Sequence, residues 1–275
     1  MDKKITNLGP LKGKILLFGG VYSNLQALEM LRSIAEKHQI PAENCISTGD
    51  LVGYCAQPEE SVQYFKDWGA ISIAGNVELQ LREGEEDCGC SFRPGSRCDQ
   101  FSKQWYPYAQ SKLSKNSLEF MQALPDHFEF TYAGKKISVV HGSFQNISEF
   151  IFKSTPWATK AANFEATCSD VIIAGHCGLP FNEEQDGKIW INPGVIGMPA
   201  NDGTPQVWYV ILDDKNGKFN YSHHRMHYNH KLTSSLMDNG LLPIEYARTI
   251  NTGIWDNCEI LPIREMGYQG FGINL

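Results

Sequence analysis

The sequence predicts an α/β fold, a sheet covered by helices. Short apolar segments alternate with amphipathic stretches of helical period, the signature of βαβ units. Nearly every apolar segment ends in a small-residue turn, and the second half of the chain shifts to closely spaced strands. The 275 residues are 42% apolar, enough to bury a large core as one domain. No internal repeat and no linker rich in Pro, Gly or Ser divides the chain, so residues 1–275 read as a single domain.

Residues 14–18 read as a buried strand closed by Gly19-Gly20. A helix starts at Ser23 or Asn24, both polar cap types, with Leu25, Leu28, Leu31 and Ile34 on one face. Residues 44–48 form a second strand broken by Gly49-Asp50, residues 59–68 a helix, and residues 70–74 a third strand broken by Gly75-Asn76. Periodicity is lost over 83–98, where Gly, Pro and charge mark a Cys-containing loop or insertion. Helices follow over 99–124. Strands at 128–132 and 136–140 make a hairpin across Ala133-Gly134-Lys135, and further strands fall at 171–174, 188–192, 207–212 and 218–222. The tail, 229–275, reads as two short helices and then irregular chain.

Charge narrows the function classes. Lys and Arg number 24 against 31 Asp and Glu, a formal charge of -7. Binding to duplex nucleic acid needs a basic excess, because phosphate contacts displace counterions with Lys and Arg, so no duplex partner is expected. The longest apolar run, 15–21, is far too short to span a bilayer, and the first ten residues carry no signal-type apolar region. No membrane association is expected, and the expected compartment is the cytoplasm. In that reducing setting the eight cysteines are not expected to be structural disulfides.

The chemistry sits at strand ends. Gly49-Asp50, Gly75-Asn76, His141-Gly142-Ser143, Gly175-His176 and Asn192-Pro193-Gly194 each place polar ligand types beside a residue that lets the backbone turn sharply. Ligands bind where carboxyl ends of strands meet loops in such sheets. Singly, each is best read as an ordinary turn; five at five strand ends point to one pocket. Asp, Asn and two His are donors that suit Mn, Fe or Zn.

These residues also resemble the calcineurin-like metallophosphoesterases, in particular their small bacterial phosphodiesterase and phosphatase branch. Gly49-Asp50-Leu51-Val52-Gly53-Tyr54-Cys55 is similar to that family's Gly-Asp-x-Val-Gly-Tyr-Gly, and Gly75-Asn76-Val77-Glu78 to its Gly-Asn-His-Asp/Glu. Val140-His141-Gly142-Ser143, Ala174-Gly175-His176-Cys177-Gly178 and Ile191-Asn192-Pro193-Gly194 match the remaining motifs in order and spacing, from about Lys14 to Leu212. The resemblance implies an α/β β-sandwich of two mixed sheets flanked by helices, with two metals at one edge.

The resemblance assigns the missing metal ligands to one metal position. Where the family opens with Asp-x-His-Gly-Asn, this chain has Gly20-Val21-Tyr22-Ser23-Asn24. Val77 replaces the His assigned to leaving-group protonation or transition-state stabilisation, Gly178 replaces the last His, and Ala200 stands where an Arg is expected. The resemblance therefore implies one intact ligand set, Asp50, Asn76, His141 and His176, and a second that keeps only Asp50.

The expectation is a metal-dependent phosphoesterase that hydrolyses a phosphomonoester or phosphodiester by metal-activated water at an atypical or single-metal site. Asp50 and Asn76 would be catalytic, with Glu78 and Tyr22 as substitutes for the missing proton donor. The alternative is a weak or inactive phosphate- or nucleotide-binding protein on the same scaffold; in either case the partner is a phosphorylated small molecule or nucleotide. Cys55, Cys177, Cys88, Cys90 and Cys98 are candidates for a rebuilt thiolate site, since thiolates bind Zn and Fe strongly. The tract His223-His224-Arg225-Met226-His227 with His230 is read as a solvated strand edge rather than a metal site.

Overall fold

The computed structural model describes residues 3–238 and 240–275. Six strands form one sheet in the order β1 (Ile5–Pro10), β5 (His127–Tyr132), β6 (Lys135–Val140), β7 (Val171–Ala174), β9 (Lys188–Asn192) and β8 (Phe181–Gln185). Five form the other: β11 (Asn220–Met226), β10 (Val207–Asp213), β2 (Ile15–Phe18), β3 (Cys45–Ser47) and β4 (Ile71–Ser72). Both sheets are mixed. In the first, β6, β7 and β9 run parallel while β5–β6 and β8–β9 are hairpins. In the second, β2, β3 and β4 are parallel and β10 is antiparallel to both its neighbours.

Strand β2 shows how a short segment serves two cores. Side chains alternate across a strand. Ile15 and Leu17 thus join Val139, Ile173 and Ile191 between the sheets. Leu16 and Phe18 join Leu28, Leu31, Phe65 and Trp68 of helices α1 (Leu25–Lys37) and α2 (Pro58–Trp68) on the opposite face. A strand covered on both faces has no polar side to display, which is why it reads as an unbroken apolar run. Asn24 caps α1, its side chain accepting from the Ala27 N–H at 3.2 Å. The outer face of the six-stranded sheet is covered by α6 (Trp157–Thr167), where Phe164 packs with Ile172 and Trp190.

Several local expectations are corrected. Strands β1 and β8 and helix α6 lie where no element was expected. Both strands are sheet edges, and edges tolerate the Asn, Gly, Pro, Glu and Gln that hide a strand from pattern reading. The strand expected at 218–222 lies instead at Asn220–Met226, and the tail holds α7 (His230–Met237), α8 (Ile244–Thr252) and α9 (Ile263–Met266). The insertion narrows to 84–96, between α3 (Asn76–Glu83) and α4 (Arg97–Lys112), because Ser96 already caps α4. Helix α5 (Lys115–Ala123) completes that segment. Among the described residues no helix is long and apolar enough to cross a membrane.

Candidate metal centre

Parallel strands bring their carboxyl ends to one edge of the sandwich. Asp50 follows β3 and Asn76 follows β4 in the five-stranded sheet; His141 follows β6 and His176 follows β7 in the other. The turns that deliver them leave no spare room. A Cβ on Gly49, whose φ is +97°, would lie 2.5 Å from the Gly75 nitrogen, and one on Gly75 would lie 2.1 Å from Asp50 Oδ1. Asp50 and His176 themselves sit in the left-handed region, at φ 59° and 61°. That conformation costs a non-glycine residue about 1–2 kcal/mol and persists where the surroundings over-determine it.

The four side chains meet at His141 Nε2. Asn76 Oδ1 lies 3.0 Å from it, His176 Nδ1 3.1 Å and Asp50 Oδ2 3.2 Å. The other imidazole nitrogen, Nδ1, donates to the Thr48 carbonyl at 2.6 Å, which holds a proton there and turns the Nε2 lone pair inward. A second proton on Nε2 could satisfy only one of three acceptors. A divalent cation satisfies all four donors, and a carboxylate oxygen, an amide oxygen and two imidazole nitrogens suit Mn, Fe or Zn. Asp50, His141 and His176 are the one group of three or more among the described residues whose His, Cys, Asp or Glu ligand atoms lie within 4.8 Å of one another.

Electrostatics match that reading. Burial opposes charge on both Asp50 and His141, but each outweighs it for the other, lowering the Asp50 carboxyl and raising the His141 imidazole. His176 is pushed down to about 3 by burial and by His141, so it is a neutral ligand. The Asn76 amide is oriented by donating from Nδ2 to the Cys88 carbonyl at 2.7 Å and toward Cys90 Sγ at 3.3 Å.

Glu78 does not face the cavity. One of its carboxylate oxygens accepts from the Asp50 and Gly75 N–H groups, each at 2.8 Å. The other accepts from Leu51 at 2.8 Å and Val52 at 3.4 Å. It staples the two ligand-bearing turns together, which corrects its candidacy as a proton donor. Burial and the Asp50 charge push it up to about 7, while the Gly75 and Asp50 N–H groups pull down.

The space where the resemblance implies a second ligand set is filled. A Cβ on Gly20 would lie 2.3 Å from the Tyr22 ring, so Tyr22 occupies the room that an acidic side chain at 20 would need. Tyr22 stands edge-on to Tyr54 at 4.6 Å. A Cβ on Gly178 would meet the Trp255 ring at 3.4 Å, and Trp255 is held by its indole N–H donating to the Pro199 carbonyl at 2.7 Å. Val77 is buried among apolar side chains, Tyr22 included. Burial first, then Tyr54 and Asp50, raise the Tyr22 phenol well above its ordinary value, so it keeps its proton at neutral pH.

The cysteines assemble no thiolate site. Cys88 and Cys90 are joined to each other as a disulfide, against the expectation of reduced thiols. The Cys177 thiol donates to the Leu179 carbonyl and is pushed up to about 12 by burial; the Cys98 thiol faces Asn257 Oδ1 at 3.3 Å and is raised to about 11. Cys55 points at the Gly197 carbonyl, its thiol raised by burial. Buried neutral thiols find backbone acceptors more cheaply than they ionise. The histidine tract is tied elsewhere: His223 Nε2 reaches the Asn192 carbonyl at 2.9 Å, and Arg225 donates to the Ile273 carbonyl at 2.7 Å.

A cavity of about 100 Å³ opens over Asp50 and His176. Its roof comes from segments that motif reading passed over: Phe92 in the insertion, Phe150, which lies 4.2 Å from the His176 ring, and Tyr246 and Trp255 in the tail. Their sequence neighbourhoods carry no signal, since each meets the site through contacts between segments separated along the chain, as Tyr246 does with Tyr54.

The mixed two-sheet sandwich thus carries at its carboxyl edge an oxygen–imidazole cluster of the kind that suits a divalent metal. Residues 16–217 match the model of the calcineurin-like phosphoesterase superfamily domain, and the chain belongs to that family. It is 29% identical over 226 residues to an uncharacterized protein of Methanocaldococcus jannaschii, covering 76% of this chain and 86% of that one. The probable metallophosphoesterase YsnB of Bacillus subtilis is 31% identical over 110 residues, 40% of this chain and 59% of that one. A solved metallophosphoesterase from Sphaerobacter thermophilus has the same fold, with a TM-score of 0.69 at 23% identity, covering 89% of this chain and 100% of that one. A hypothetical protein of Pyrococcus horikoshii superposes with a TM-score of 0.71 at 18% identity over 88% of this chain and 99% of that one.

Proposed function

We propose that this chain is a phosphoesterase that works with a single divalent cation on Asp50, Asn76, His141 and His176. The observation that carries this reading is the pairing of an intact donor cluster with a neighbouring cradle blocked by Tyr22. Family membership supports metal-dependent phosphoester hydrolysis in general. A cation held there would supply positive charge to a phosphoryl oxygen and lower the pKa of water.

The chain's own residues do the rest. Thr48 keeps the His141 proton on Nδ1, Cys88 aims the Asn76 oxygen, and Glu78 fixes the turn that presents Asp50. No side chain at position 77 moves a proton to the leaving group, so general-acid help of about 10²–10⁴-fold is missing. Substrates with good leaving groups are therefore favoured, and the partner is a phosphorylated small molecule or nucleotide.

Release of p-nitrophenol from bis-p-nitrophenyl phosphate, with Mn, Fe, Zn, Ni or Co added in turn, tests the reading. Activity with at least one metal, lost in Asp50→Ala, is expected. Activity with none, or survival in Asp50→Ala, overturns it. The blocked cradle and Val77 favour one second reading, phosphate binding without turnover, which predicts metal-dependent binding in the same preparations.

A further inference from the structure

We infer that the cavity over the metal cluster is a ring-binding subsite, and that it selects a monoanionic phosphodiester bearing an aromatic ester group. The inference rests on the cluster holding a divalent cation, as proposed above, and concerns what binds beside it. Six aromatic side chains line the cavity: Tyr22, Tyr54, Phe92, Phe150, Tyr246 and Trp255. They form a braced wall rather than a loose collection. Tyr54 is edge-on to Tyr246 at 5.0 Å and packs on Trp105 at 4.9 Å, Phe150 lies over His176, and Trp255 is anchored through both its indole and backbone N–H groups. Rigid aromatic walls bind flat apolar groups without first having to be ordered.

Size and charge point the same way. The volume, about 100 Å³, is on the scale of the roughly 150 Å³ apolar cavity that accepts benzene. Among the described residues no Lys or Arg lines it. Arg97, close to the mouth, is committed to Asp256 and Glu245. A divalent cation beside the Asp50 carboxylate would leave one net positive charge, since Asp256, the other carboxylate lining the cavity, is paired with Arg97. One negative charge is balanced there; a monoester dianion or a polyphosphate is not.

Binding to the Mn-loaded chain, measured by calorimetry with diphenyl phosphate, dimethyl phosphate and pyrophosphate, tests the subsite without any turnover. Diphenyl phosphate should bind about tenfold tighter than dimethyl phosphate, the scale of one good stacking contact. Trp255→Ala and, as an independent variant, Phe92→Ala should each reduce that ratio, and Trp255→Phe should retain it. A wild-type ratio of three or less, a ratio unchanged in both alanine variants, or pyrophosphate binding tighter than diphenyl phosphate overturns the inference. Selective diphenyl phosphate binding without hydrolysis of bis-p-nitrophenyl phosphate would sink the hydrolase reading and leave the subsite standing; hydrolysis without selectivity does the reverse.

Discussion

Gly20 and Tyr22 act as a pair: the absence of a side chain at one position is what admits the ring of the other. Gly20→Asp should therefore destabilise the protein by about 1–3 kcal/mol through overpacking, read as a lower urea midpoint. Adding Tyr22→His to that variant removes the obstructing ring and should recover much of the loss. If the single variant is as stable as the parent, the cradle is not filled as described. Glu78 makes a related case. Replacing it with Gln puts an NH2 donor where one carboxylate oxygen accepts from backbone N–H groups, leaving those donors unpaired, and a loss of about 1–3 kcal/mol is expected in the same assay.

Two elements outside the motifs control the surroundings of the centre. The insertion supports Asn76 mainly through the Cys88 carbonyl at 2.7 Å, with Cys90 Sγ the longer contact at 3.3 Å, and both act on the Asn76 amide nitrogen and not at the metal position. Cys88→Ser with Cys90→Ser should consequently leave the number of metal ions per chain unchanged in elemental analysis; a lower number would restore the thiolate site. The tail is latched to the start of α4 by Arg97, which pairs with Asp256 at 2.9 Å and Glu245 at 3.1 Å, while Glu259 accepts from the Arg97 N–H at 2.8 Å. Arg97→Ala should speed amide hydrogen exchange across 244–260. The Arg97 hydrogen bond holds Asp256 below the ordinary Asp value. Its contribution is thus present above the unfolded pKa, near 3.9, and lost as pH falls through the lower folded value. Exchange protection of the tail should persist at pH 5 and weaken below about pH 4.

At the scale of the whole molecule, the centre joins the two sheets, with Asp50 and Asn76 from one and His141 and His176 from the other. A ligand that binds only this folded arrangement stabilises all of it. At a metal concentration 100 times its dissociation constant the gain is about 2.7 kcal/mol, or about 5–10 °C in Tm for a chain of this size. Thermal denaturation with and without Mn or Zn reads this directly. The shift should vanish in Asp50→Ala, and a shift that survives there would place the cation elsewhere.

The sequence by itself determined the α/β class, most interior strands and the four side chains that converge, because these are local properties. An unbroken apolar run such as 15–18 reports a strand buried on both faces, and a ligand type beside a sharp turn reports a strand end. Edge strands β1 and β8 escaped because solvent on one side permits polar residues. Tertiary structure alone decided what became of the emptied cradle, which way Glu78 points, how Cys88 and Cys90 pair, and what roofs the cavity. The direction of Glu78 and the cavity roof depend on packing between segments far apart in the chain, as when Trp255 comes to rest over Gly178, whereas Tyr22 against Gly20 and Cys88 with Cys90 are near neighbours whose side-chain placement no pattern of apolar and polar types encodes.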